Sequence, residues 1–316
     1  MTDLMIEAIG LGRRFAEVTA LDDVDLRVRR GTVMGLLGHN GAGKTTLINI
    51  LATLLPPTSG TARVAGYDVV GTPKEVRRRI GLTGQFAAVD EQLSGMDNLV
   101  LIARLLGAGR AQARTRAAEL IELFELQNAA KRAAGTYSGG MRRRLDIAAS
   151  IVGHPEVIFL DEPTTGLDPV SRNGVWSLVE ALTRHGASVL LTTQYLEEAD
   201  RLADEITVLS SGRVVAAGTP AELKSRVGRL TAHITLSDET EIPPTLRTLE
   251  RIHLQPQYDE ARGEVNVALE GAAGLASIVR ALDDAIITVK GLTLTEPTLD
   301  DVYLSLSGRN ALPSAA

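Results

Sequence analysis

The stretch Gly38-His39-Asn40-Gly41-Ala42-Gly43-Lys44-Thr45 constrains this chain most, because it joins the apolar run Val33–Leu37 to the helix-patterned segment TTLINILATLL. It fulfils G-x-x-x-x-G-K-[ST] in the strand, loop, helix context that gives the pattern its meaning. The glycines let the backbone wrap closely, so that successive N–H groups and the following helix N-terminus face a phosphate. Lys44 is then expected to reach the β and γ phosphates of a nucleotide and the Thr45 hydroxyl to ligate Mg²⁺, with Thr46 beside them in the same cradle. From Glu156 onward, strand-like VIFLD, SVLLTT and EITVLS alternate with helix-like VSRNGVWSLVEALTRHG and YLEEADRLA, which predicts a largely parallel α/β sheet.

Around that core the chain changes character. Short β-rich runs, Val24–Val28 and Val33–Leu37, come first; TARVAGYDV reads as a hairpin and PKEVRRRI as a short helix with Pro73 in its first turn. Residues 97–153 carry helical patterns, so a helical subdomain over about 86–153 interrupts the sheet. Within it, Ser94 with Asp97 three residues on reads as a capping box. After PAELKSRVG the pattern becomes strand-like TAHITL, an Asp/Glu/Pro-rich turn, EVNVALE, the helix GLASIVRALD, AIITVKGL and a last helix TLDDVYLSLSG. The expected organisation is a large domain over residues 1–228, a small α+β domain over 229–308 and a disordered tail over 309–316. A total of 316 residues agrees with two domains, since single cores stop growing near about 250–300 residues.

Composition removes several function classes. No run approaches the apolar length of a spanning helix, and MTDLMIEAIG is not a secretory leader, so the sequence predicts a cytoplasmic chain without its own membrane span. Zero cysteines exclude disulfides and thiolate chemistry, and five dispersed histidines do not suggest a metal cluster. A net charge of −6 without a long basic run argues against a nucleic-acid partner.

Downstream of the phosphate loop, the four apolar residues Val157–Leu160 end in Asp161-Glu162, so a buried strand delivers two carboxylates to one sheet edge. Asp161 is expected in the Mg²⁺ shell, and Glu162 as the base or water-orienting group for attack on the γ phosphate. These two motifs alone define a phosphate-loop nucleotidase. Tyr137-Ser138-Gly139-Gly140-Met141 narrows the class: it lies before a helix, and Ser138 can cap that helix while its hydroxyl and the glycine amides present donors to a phosphate.

That segment resembles the signature of the ABC ATPases, usually written L-S-G-G-Q. The resemblance implies a phosphate-loop core of ABC type with an antiparallel β subdomain and an inserted helical subdomain. It also implies that the signature of one subunit closes over the ATP of a second copy, in a head-to-tail pair with two shared sites. Phe15 resembles the aromatic that stacks on adenine, Gln85 the glutamine that touches Mg²⁺ or the attacking water, and Asp168 the residue linking the two sites. Each residue has a plainer reading when taken singly: a lone Phe is more often core, a lone Gln more often a solvated face, and Asp168 before Pro169 could merely cap the following helix; the consistent spacing from Phe15 to Gln194 supports the family roles.

Two positions depart from the family pattern. Met141 replaces the signature glutamine, and Gln194 in TTQYLEEAD stands where histidine is usual. Glutamine retains a neutral amide donor for the γ phosphate and loses any pH-dependent charge. TTQYLEEAD and the run EPTLDDVYLSLSG resemble the ATP-binding subunits of daunorubicin and doxorubicin resistance exporters. The resemblance implies an ATPase attached to the cytoplasmic face of the membrane through a separate permease, with an anthracycline-like drug or a complex lipid as cargo. Two rival readings are a soluble ABC ATPase of translation or DNA repair and a non-catalytic nucleotide switch; the first lacks its usual duplicated halves, and intact Lys44, Asp161 and Glu162 disfavour the second.

Overall fold

The structure is a computed structural model that describes residues 3–84, 89–227, 230–260, 262–269 and 273–309. Residues 1–220 and 221–316 form two separate compact units. The first opens with two long strands, β1 (Leu4–Phe15) and β2 (Val18–Arg29), followed by β3 (Val33–Leu37) and helix α1 (Lys44–Leu51). β4 (Ser59–Val64), β5 (Tyr67–Asp68), α2 (Pro73–Arg77) and β6 (Ile80–Thr83) lead into three helices, α3 (Gly95–Leu105), α4 (Arg110–Leu123) and α5 (Gly139–Ser150). The chain then alternates through β7 (Val157–Asp161), α6 (Pro169–Arg184), β8 (Ser188–Thr193), α7 (Leu196–Leu202), β9 (Glu205–Ser210) and β10 (Arg213–Gly218).

Two sheets result, in the orders β2-β1-β4-β5 and β10-β9-β3-β8-β7-β6. The first is antiparallel, with the expected hairpin closing at Val64 and Tyr67. In the second, β9, β3, β8, β7 and β6 run parallel and β10 closes one edge antiparallel. Every residue of β3, β7 and β8 is buried, the pattern of parallel strands covered on both faces. α3, α4 and α5 fall between β6 and β7, which nevertheless pair directly, so the helical segment leaves the sheet and returns to it. Ser94 caps α3, accepting from the Asp97 amide at 3.1 Å. No described helix is long and apolar enough to cross a membrane.

In the chain, α8 (Pro220–Val227) leads into the second unit, which contains β11 (Leu230–Leu236), α9 (Ile242–Arg251), β12 (Pro256–Asp259), β13 (Glu264–Leu269), α10 (Ala273–Asp284), β14 (Val289–Thr295) and α11 (Leu299–Arg309). The antiparallel order β12-β13-β11-β14, with α9 and α10 as crossovers, is a split β-α-β arrangement. Ala232, Ile234, Leu249, Val265, Val267, Ile278 and Leu282 form its core. One sequence expectation needs correction here: the Asp/Glu/Pro-rich stretch is a short 3₁₀ turn followed by α9, not a turn alone. Pro243 and Pro244 sit in the first helical turn, where a missing N–H costs no bond, so residues that read as breakers open the helix. The expected disordered tail lies outside the described residues from position 310.

Candidate active site

Three strand ends converge. β3 runs into the phosphate loop, β8 is its parallel neighbour, and β7 lies beside β8, so the loop, Thr192-Thr193 and Asp161-Glu162 share one carboxyl edge of the sheet. Ligand sites of parallel sheets form at this edge because the connecting loops and helix N-termini gather there. A cavity of about 1120 Å³ opens over it, lined in part by Asn40, Gly41, Gly43, Lys44, Thr45, Thr46, Glu162 and Gln194.

The loop is held by close packing as well as by conformation. At Gly43, where φ is +107°, a Cβ atom would lie 2.5 Å from the Ala20 carbonyl oxygen; at Gly38 one would lie 2.5 Å from that of Leu209. Neither position accommodates a side chain. Lys44 is 5% exposed, and its ammonium donates to the carbonyls of Gly38 at 2.7 Å and His39 at 3.2 Å. The same ammonium lies 3.7 Å from Glu162 Oε1. His39 and Asn40 are exposed on the loop, and Ala42 is buried beneath it.

Asp161, at the end of β7, is 3% exposed and receives two hydroxyls: Thr45 Oγ1 donates to Oδ2 at 3.1 Å and Thr192 Oγ1 to Oδ1 at 2.6 Å. Glu162 follows in the left-handed region, with φ +49°. Its amide donates to the Thr192 carbonyl at 3.1 Å and the Thr192 hydroxyl at 3.0 Å, and Thr165 donates to its carboxylate at 3.2 Å. Thr192 is therefore a further organising residue, not singled out in the sequence. Its only sequence signal was its place at the end of an apolar run.

Ser138 N-caps α5, accepting from the Met141 amide at 3.3 Å. Gly139 lines the cavity, together with Arg142, which pairs with Glu91 at 2.6 Å. Tyr137 is buried among the helices and donates to the Ala129 carbonyl at 2.8 Å; burial pushes its hydroxyl above the usual range. Met141 packs against the same helical core.

Matching these features, residues 21–165 fit the ABC transporter family. The chain is 49% identical over 310 residues to the daunorubicin resistance ATP-binding protein DrrA2 of Streptomyces coeruleorubidus, an alignment covering 98% of this chain and 96% of that one. This chain belongs to the ABC transporter family. Among solved structures, the ATP-binding subunit of an ABC transporter superposes with a TM-score of 0.64 at 29% identity, over 70% of this chain and 92% of that one. A dimeric bacterial ABC transporter cassette superposes with a TM-score of 0.63 at 25% identity, over 68% and 98%.

As an ABC ATPase, the chain brings Lys44, Thr45, Asp161, Glu162 and Gln194 together and leaves other expected residues apart. Phe15, at the end of β1, is 41% exposed, is not part of the cavity wall, and carries the Arg13 guanidinium 4.6 Å above its ring. Asp168 caps α6: Oδ1 accepts from the Ser171 amide at 2.9 Å and Oδ2 from the Ser171 hydroxyl at 2.6 Å. Those bonds hold its carboxyl below the usual range. Gln85 lies outside the described residues. Behind the Gln194 loop, fully buried Glu198 on α7 accepts from Trp176 Nε1 on α6 at 3.0 Å. Burial raises the Glu198 carboxyl above its usual range, against the hydrogen bond from Trp176.

Proposed function

We propose that this ABC ATPase works as one half of a head-to-tail pair and powers export of a hydrophobic, anthracycline-like drug through a separate integral-membrane permease. The observation that carries the catalytic part is that one sheet edge presents a full set for one nucleotide, Lys44, Thr45, Asp161 and Glu162, while the chain holds a single signature. A second copy then supplies the signature that each ATP lacks. The cargo class rests on the likeness to the daunorubicin resistance protein across nearly the whole chain. A complex lipid remains the alternative cargo.

In this reading Lys44 holds the β and γ phosphates, Glu162 orients or deprotonates the attacking water, and the Gln194 amide donates to the γ phosphate. Phe15 stacks on adenine, and Gln85 touches the metal or the water. Ser138, Gly139 and Gly140 close over the partner's phosphates, flanked by Tyr137 and Met141, and Asp168 links the two sites. The Thr45 hydroxyl and the Asp161 carboxylate are hard oxygen donors 3.1 Å apart, which suits Mg²⁺, an ion that completes its shell with phosphate oxygens and water. Bound there, it would neutralise charge on the phosphates.

Because no described helix can span a membrane, attachment is assigned to the permease at its cytoplasmic face. The test is co-expression with a candidate integral-membrane permease from the same organism. The expected result is co-purification from membranes, ATP-dependent daunorubicin efflux, and loss of efflux in Glu162→Gln. A complex that forms and hydrolyses ATP without moving daunorubicin would reject the cargo class.

A further inference from the structure

Glu162 holds a backbone conformation that a residue with a side chain rarely adopts, and such conformations persist only where the surroundings over-determine them. The bonds from its own amide to Thr192 fix one peptide plane. The Asp161 carbonyl belongs to that same plane, and it shares a further anchor with the Pro163 carbonyl on the other side of Glu162. Arg143 Nη2 donates to the Asp161 carbonyl at 3.1 Å, and Arg143 Nε donates to the Pro163 carbonyl at 2.8 Å. The remaining nitrogen, Nη1, donates to the Gly84 carbonyl at 2.9 Å and to Asp146 Oδ2 at 3.3 Å.

One guanidinium thus holds three backbone carbonyls on two segments: those before and after Glu162, and that of the residue before Gln85. Its side chain is 13% exposed and its partner Asp146 is 3% exposed. Arg143 stands on α5, the helix that Ser138 caps, so the clamp has a rigid base. A planar guanidinium with five fixed N–H donors serves these three carbonyls and a carboxylate at once, whereas an ammonium has only three donors.

We propose that Arg143 is the positioning residue for Glu162, fixing the turn that aims its carboxylate by holding the carbonyls of both flanking residues. This rests on the reading of Glu162 as the water-orienting group. Arg143 reaches the cavity wall, but its bonds run to backbone carbonyls and Asp146; acting through Glu162, its loss should affect the chemical step and spare ATP affinity.

The test is steady-state hydrolysis and equilibrium ATP binding by the purified complex. Arg143→Lys keeps a positive charge beside Asp146 and removes the fork; kcat is expected to fall at least about tenfold, with KM and ATP Kd within about twofold of the parent. If Arg143→Lys does not fold, Arg143→Met combined with Asp146→Leu removes the buried pair together, and the same selective loss of kcat is expected. A rise in KM or Kd with kcat unchanged would overturn the proposal, because it would place Arg143 on the nucleotide. Glu162→Gln, measured alongside, separates the two readings. Parental turnover in that variant rejects the role of Glu162, and this inference with it. An inactive Glu162→Gln beside parental kcat in Arg143→Lys overturns the positioning role alone.

Discussion

The ammonium of Lys44 and the carboxylate of Glu162 lie 3.7 Å apart, at 5% and 11% side-chain exposure. One is in the first turn of α1 and the other in the turn after β7, so the phosphate-holding cation and the proposed base meet across the sheet edge. The two substitutions should separate binding from chemistry. Lys44→Ala is expected to lose ATP binding. Glu162→Gln is expected to bind ATP and accumulate as a closed dimer, with turnover lowered by about 10²–10⁴-fold, the range for loss of a general base. Equilibrium dialysis and steady-state hydrolysis measure both; parental hydrolysis in Glu162→Gln would reject its assignment.

Gln194 is exposed at the cavity, and the adjoining residues fix its loop: the Tyr195 amide donates to the Thr193 hydroxyl at 2.9 Å, and Arg172 stacks 4.7 Å above the Tyr195 ring. Loss of one donor to transition-state charge costs about 10²–10³-fold at the strong end, so Gln194→Ala should lower turnover by at least about tenfold with little change in ATP affinity. Gln194→His should stay active. Gln194→Glu should be the worst of the three, since a carboxylate repels the phosphate. A parental rate in Gln194→Ala would make the residue a bystander.

The Trp176–Glu198 contact predicts a pH-dependent stability. A carboxyl whose folded pKa is raised binds its proton more tightly when folded, so its contribution is most favourable below the ordinary carboxylate range and is lost as pH rises through the raised value. Glu198→Gln keeps the shape and removes the titration. Its melting temperature relative to the parent should therefore increase with pH across that window. Trp176→Phe removes the donor and should cost about 1–3 kcal/mol, because a buried acceptor loses its partner. A pH-independent difference for Glu198→Gln would show that Glu198 stays in its ordinary range.

For Asp168 the helix cap and the proposed contact between subunits can be told apart. Serine retains N-cap geometry, so Asp168→Ser should melt near the parent while Asp168→Ala melts lower. Both should weaken ATP-driven dimerisation, followed by light scattering with the Glu162→Gln background. Unchanged dimerisation in both leaves Asp168 as a cap only.

Much of the site was legible in the sequence because its parts are local. A phosphate loop is eight consecutive residues between a buried strand and a helix, and the Asp161-Glu162 pair ends an apolar run; burial and glycine placement announce both without knowledge of the fold. The helical segment and the strand-helix alternation were equally readable, since periodicity is a property of neighbours in sequence. What failed locally was α9, whose prolines signal a break or a first turn alike until packing decides. The tertiary structure alone decided that Thr192 bonds Asp161 and the Glu162 amide, that Arg143 reaches the carbonyls of Gly84, Asp161 and Pro163, and that Trp176 meets Glu198. Each of these joins residues 18 to 59 positions apart. A hydrogen bond depends on distance and angle in space, and those are set by the order β3-β8-β7-β6, in which strands side by side in the sheet are separated along the chain by whole helices.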